Sequence, residues 1–185
     1  MDQGFAETAS DRAVAKVSGR HLAMLWAAAA GAAALHNLEE WLLDMTGWIA
    51  GHSWLPGRSL HGDQAEFAVV LALVTVAVFA IAGVAVAVRP RWSAEVLVCV
   101  AYALMVNGAS HAVLSLLSWH PMPGVFSGIV VLLPLGMLVV HMLPPVRWTV
   151  PTIVMTVIAA VGITAGAFAL ASVLTGIEWK VSESW

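Results

Sequence analysis

The sequence predicts an all-α fold, an integral membrane bundle of five transmembrane helices with its N-terminus in the cytoplasm. Three observations lead there. The chain is 61% hydrophobic and only 10% charged, with a mean hydropathy of +0.89, whereas a soluble domain carries about a quarter charged residues. It holds five apolar stretches close to the ~20 residues that a hydrocarbon core of ~30 Å demands. Breaks rich in proline and glycine separate them.

The stretches are 21–43, 65–88, 93–117, 124–143 and 149–174, and the breaks read GHSWLPGRSLHGD, RPR, WHPMPG and PPVRW. In a chain of 185 residues, five spans leave a polar cytoplasmic tail over 1–19, a transmembrane region over 20–176 and a short polar tail over 177–185. No space remains for a second folded domain. Residues 1–19 lack the basic start and short apolar core of a cleaved signal peptide, so the first span is expected to be retained. One cysteine, Cys99, excludes a disulfide framework or a cysteine-based zinc site within the chain. The net charge of −3 and the lack of a basic patch with interleaved aromatics argue against nucleic acid as a partner.

Orientation follows from the cations. Arg12, Lys16, Arg20, Arg89, Arg91 and Arg147 fall on one side of this arrangement, against Arg58 and Lys180 on the other. The positive-inside rule makes the richer side cytoplasmic and predicts a multi-pass protein of the cytoplasmic membrane. Trp41, Trp48, Trp54, Trp92, Trp119, Trp148 and Trp179 lie at or beyond span ends, where an indole prefers the headgroup zone. Gly124–Gly128 and Gly162–Gly166 have the spacing that permits close helix approach.

The first span carries an anomaly, the run LHNLEEW at 35–41. A carboxylate at the middle of a span costs roughly 2.5–3.5 kcal/mol, and each leucine returns only about 0.3–0.6 kcal/mol. The six leucines from Leu22 to Leu43 do not clearly offset both Glu39 and Glu40. These acids need partners, or must stay protonated. At 100° per residue they flank His36 at about −60° and +40°, on one helix face, and Asp44 follows at about +80°.

Depth selects the partners. His36 lies ~20 Å above the inner end of the first span, and Asn107 and His111 lie ~20 and ~27 Å up the third, which runs in the same direction. Glu66 opens the second span and descends from the outer side. His36, Glu39, Glu40, Glu66, Asn107 and His111 are therefore expected at one level in the outer half of the bilayer. His52, His61 and His120 lie in outer connections and could join them as lids or ligands. Glu95 and His141 fall near the inner boundary, and His21 looks incidental.

Several readings fit such a cluster. One is a polar network that only locks the bundle, although measured polar contacts in membranes average about 0.6 kcal/mol. Another is a divalent metal, zinc or iron, held by His36, His111 and Glu39 or Glu40, with the second carboxylate moving protons in an enzyme acting on an apolar small molecule or membrane lipid. A third is metal-free acid–base catalysis, an isomerase or cyclase of an isoprenoid-like substrate with Glu39 or Glu40 as proton donor and Trp41 or Trp119 supporting positive charge. The last is a proton- or cation-coupled transporter. Composition leaves the oligomeric state open.

The run HNLEE at 36–40, followed by NGASH at 107–111 and PMPG at 121–124, resembles the HXXEE family of small integral membrane proteins. The resemblance covers most of the chain, from the first to the fourth span. Its signature combines His-x-x-Glu-Glu, a further histidine and Tyr-x-Pro-Gly. His36, Glu39 and Glu40 match the first part, His111 the second, and Pro123 and Gly124 the end of the third. Pro121 stands where the tyrosine would be, so no phenol is expected there. The resemblance implies an uncharacterised enzyme with a His/Glu site and imports no reaction.

Overall fold

The computed structural model describes residues 18–55, 63–90, 92–146 and 149–182. All regular structure among them is helical. Helix α1 runs Gly19–Leu42, α2 Met45–Gly51, α3 Gln64–Val88, α4 Ser93–Ser118, α5 Val125–Met142 and α6 Val150–Ser182. The predicted span limits thus recur within two residues, apart from α6, which continues to Ser182. The short α2 was not predicted. It arises because α1 stops at Leu42 and Asp44 turns left-handed (φ 54°), its carboxylate accepting from the Gly47 amide at 3.0 Å. Asp44 therefore caps a new helix and does not extend the acidic face of α1.

Among the described residues, four helical segments are long and apolar enough to cross a membrane: Gln64–Val88, Ser93–Ser118, Val125–Met142 and Thr156–Leu174. The sequence reading of five counted α1 as well. Helix α1 has the length, but many of its residues are alanines and its last turns carry His36, Asn37, Glu39 and Glu40, which lowers its apolarity. Its position compensates. Helix α1 packs against α3 on one side and meets α4 and α5 on the other, while α6 packs outside on α3. The least apolar helix is the central one, where neighbours rather than surroundings receive its polar groups.

Two apolar clusters fill the ends of the bundle. At the end where α1 and α4 begin, Leu25, Trp26 and Ala29 pack with Ala82, Ala85, Leu97, Ala101 and Val139, and the buried Trp26 indole donates to Ser93 Oγ at 2.9 Å. At the opposite end Met45, Trp48 and Ile49 of α2 pack with Phe67 and Met122. Trp48 is 8% exposed. It is a core residue and not the interfacial anchor expected from its place in the chain, because α2 folds it back over the bundle. Trp41, Trp54, Trp92 and Trp119 are exposed as expected.

Helices α4 and α5 approach to backbone contact. A Cβ added to Gly108 would lie 2.6 Å from the Gly128 carbonyl oxygen, and one on Gly136 would overlap Met105. Gly128 thus packs as its spacing suggested, but Gly162 and Gly166 on α6 face open space and make no close crossing. Past Gly128, α5 takes a π-helical turn over Gly128–Leu132, with Leu133 N–H bonded to the Gly128 carbonyl. Pro134 follows at the start of the restored α-helix. A proline cannot donate to the preceding turn and crowds the carbonyl four residues back, so the widened turn absorbs the mismatch.

Arg20 and Arg89 share one end of the bundle, where the Arg89 guanidinium lies against Gly19. Arg12, Lys16, Arg58, Arg91, Arg147, His61 and Trp148, the tail over 1–17 and residues 183–185 lie outside the described residues, as do the side chains of Trp179 and Lys180.

The Gly108–Gly128 crossing generates a stability test. Gly108→Val drives a side chain into a neighbouring backbone that cannot rotate away, at a cost of about 1–3 kcal/mol. In detergent, Gly108→Val is expected to unfold at a clearly lower temperature than the parent, while Gly162→Ala, where a Cβ meets nothing, stays at the parent value.

Candidate metal centre

The last turns of α1 deliver His36 and Glu40 to the same neighbour, α4, because residues four apart share a helix face. The result is a compact group. His36 Nε2 lies 3.3 Å from Glu40 Oε1, and His111 Nε2 lies 3.1 Å from the same oxygen. The two imidazoles meet edge to face with centroids 4.7 Å apart. His36 is 1% exposed, His111 3% and Glu40 7%, so all three have left solvent.

Each ring is held from behind. His111 Nδ1 lies 2.6 Å from the carbonyl oxygen of Pro123. A carbonyl only accepts, so this nitrogen carries the proton, and in the neutral ring Nε2 presents a lone pair to Glu40. His36 Nδ1 lies 2.9 Å from Ser127 Oγ, and the Asn107 amide Nδ2 approaches His36 Nε2 at 2.9 Å. With the amide donating, His36 Nε2 is an acceptor as well; its one lone pair goes to Asn107, and an ion bound beside Glu40 would take the amide's place on it. Three acceptor atoms therefore converge, all within 4.8 Å of one another. A cation satisfies all three at once. Metal–ligand bonds of about 2.0–2.2 Å place tetrahedral ligands roughly 3.3 Å apart, close to the 3.1 and 3.3 Å between each imidazole nitrogen and the carboxylate oxygen. The buried group His36, Glu40 and His111 can hold a metal ion.

Glu39 has a different neighbour. Its two oxygens accept from the backbone amides of Phe126 (3.1 Å) and Ser127 (2.7 Å), the first residues of α5. A carboxylate on these unpaired N–H groups caps the helix and complements its dipole. Glu39 thereby fixes Ser127, whose hydroxyl receives the His36 ring. Its oxygens are used by α5 and it stands outside the three-residue group.

The turn into α5 closes over the site. Gly124 has φ 89°, and a Cβ there would lie 2.7 Å from His111 Nδ1 and 2.8 Å from a carbon of each imidazole. Only glycine combines this left-handed backbone with such an approach. Pro123 supplies the carbonyl and Gly124 the clearance.

Of the residues singled out in the sequence, His36, Glu40, Asn107 and His111 come together, and Glu39 reaches the same place through α5. Glu66 does not join them. It sits on the first turn of α3 and accepts from Ser172 Oγ of α6, because its face of α3 is turned to the outermost helix. His52 stacks on Trp48 with centroids 4.1 Å apart and bonds the Trp48 carbonyl at 2.7 Å, and His120 lies 6.5 Å from His52. These two histidines form a separate group above the bundle end. Trp41 and Trp119 are 42% and 94% exposed and are not buried with the histidines. Glu95 and His141 are exposed near helix ends, and His21 bonds Ser18. Sequence reasoning missed Ser127, which nothing in its surroundings distinguishes from other span serines.

No curated protein and no solved structure matches the chain. A family model described as "protein of unknown function with HXXEE motif" matches residues 26–139. That stretch runs from α1 almost to the end of α5 and contains every member of the centre just described. The motif is His36, Glu39 and Glu40, and with more than half of the chain matched, the chain belongs to the HXXEE family.

Proposed function

We propose that this chain is a metal-dependent integral membrane enzyme acting on an apolar or lipid-like substrate. The observation that supports it is the approach of His36 Nε2 and His111 Nε2 to one buried oxygen, Glu40 Oε1. Two imidazoles and one carboxylate are a ligand set used by zinc hydrolases and by ferrous oxygenases, both of which leave a position open for water or substrate. Zinc or ferrous iron is the ion proposed. When bound, it would supply Lewis acidity and a water acidic enough to react at neutral pH.

The chain's own residues prepare that centre. Pro123 fixes which nitrogen of His111 is free and Ser127 holds the His36 ring, as hydrogen bonds behind metal-bound histidines commonly do. Asn107 places an N–H beside His36 Nε2, ready to donate to an oxygen held in the open position. Glu39 keeps the start of α5 in register. In the membrane we take α1 as a fifth span, with the end bearing Arg20 and Arg89 in the cytoplasm, in keeping with the positive-inside rule. The centre then lies in the outer half of a cytoplasmic membrane.

The metal-free acid–base reading relies on two adjacent carboxyls that cannot both ionise. Glu39 caps α5 with both oxygens, so that reading would rest on Glu40 and the two histidines alone. A carrier needs a polar route through the other half of the bundle, and the cluster of Leu25, Trp26, Leu97 and Val139 packs there.

Elemental analysis of the purified protein is expected to find close to one transition-metal ion per chain, and almost none in His111→Ala or Glu40→Gln. Negligible metal in the parent would overturn the proposal. Glu39→Gln separates capping from ligation: it should retain the metal while losing about 1 kcal/mol of stability in thermal unfolding. Gly124→Ala, which strains the turn and pushes on both imidazoles, should weaken metal affinity about 10–100-fold in competition with a chelator, on the scale of defects behind metal ligands.

A further inference from the structure

Two open clefts lie along the seam between α1 and α5, of about 530 and 430 Å³. They share Leu35, Val130 and Val131, so they form one groove. Along α1 it extends from Ala28 to Leu42, about 21 Å at the helical rise. Its walls are apolar, and the polar side chains that border it, Glu39 and Ser127, both belong to the upper cleft. The π-turn of α5 forms part of one wall, and Gly31 lies in the other with nothing within 4 Å of a Cβ placed on it.

We propose that this groove holds the single hydrocarbon chain of a long-chain alcohol, such as a polyprenyl or fatty alcohol, with its hydroxyl at Glu39 and Ser127. The inference rests on the enzyme reading above and names the substrate class for that centre. The length suits an extended chain, and the apolar walls leave a polar group one place to go. The Glu39 carboxylate disfavours an anionic headgroup there by like-charge repulsion and accepts from a hydroxyl. Ser127, at the same end, bonds His36 at 2.9 Å, so the chain's polar end arrives one residue from the buried centre.

The test uses a diazirine-bearing long-chain alcohol added to the purified protein in detergent, with labelled residues mapped by mass spectrometry. Labelling is expected to saturate and to concentrate on α1 and α5 around Leu35, Leu38 and Val130. Unlabelled long-chain alcohol should reduce it at least fivefold, and the fatty acid of equal length should compete less well. Gly31→Phe, which fills open space, should lower labelling at least fivefold, whereas Gly162→Phe on α6, equally open, should not. Both variants should keep the parent's metal content. Labelling spread evenly over α1, α5 and α6, or unchanged by Gly31→Phe, would overturn the groove while leaving the metal centre standing. Loss of a dimer on Gly31→Phe, seen by size-exclusion chromatography with light scattering, would identify the face as a contact between copies and overturn it as well. A parent without metal would instead overturn the enzyme reading.

Discussion

A carboxylate inside an apolar bundle must have its charge answered within reach of its own side chain, and Glu40 sets that condition for the rest of this molecule. Two imidazoles, one from the same helix and one from α4, meet a single oxygen of it, and the cation proposed between these three acceptors is what would answer the charge. Since a buried acid without partners is costly, α1 needs neighbours that supply polar groups. Its central place, touching α3, α4 and α5 while α6 stays outside, follows from that need. The helix with the weakest claim to the lipid is the one the others surround.

The same need explains why α4 and α5 touch at backbone level. His111 meets Glu40 with its ring held by the Pro123 carbonyl, and Pro123 lies in the turn into α5 that passes over both imidazoles. Gly124 permits that pass, and the contact of Gly108 with Gly128 draws the two helices together one turn from His111. Small residues at membrane helix crossings serve packing in general. Here they also bring a carbonyl, a hydroxyl and two amides to the rear of the site. The π-turn and Pro134 then return α5 to regular geometry below it.

Much of this was legible in the sequence, and the exceptions have physical causes. Helix limits were readable because proline and glycine punctuate long apolar runs. The grouping of His36, Glu40, Asn107 and His111 followed from helical phase and from rise counted along two helices running the same way, both of which are local quantities. Glu66 was misplaced because depth says nothing of which side of a helix faces which neighbour, and α6 proved to be its partner. Trp48 was taken for an interfacial anchor because the left-handed Asp44 that redirects the chain leaves no mark in composition. The role of Ser127 was illegible because it depends on where α5 begins relative to α1, a tertiary fact. Pro123 was visible only through resemblance, and Gly124 through resemblance and a packing spacing that did not point to the site, since their function lies in a carbonyl and in a missing Cβ.

The run from His36 to Glu40 uses the helix as a distributor. His36 and Glu40, four apart, face α4 together. Asn37, turned by 100°, donates to Thr75 Oγ1 of α3 at 2.8 Å, and Glu39 caps α5. Leu38, the one apolar member, is 48% exposed and borders the groove. The four polar side chains in these five residues thus divide among α3, α4 and α5, and three neighbouring helices are indexed to one turn of α1. This also resolves why two glutamates stand side by side. Adjacent positions on a helix diverge by 100°, so a second acid beside Glu40 does not double the charge at the histidines. It carries its charge to the start of α5, where exposed amides accept it, and thereby sets Ser127 behind His36. The two acids are adjacent in sequence because the centre has a front and a back, and a single turn of helix reaches both.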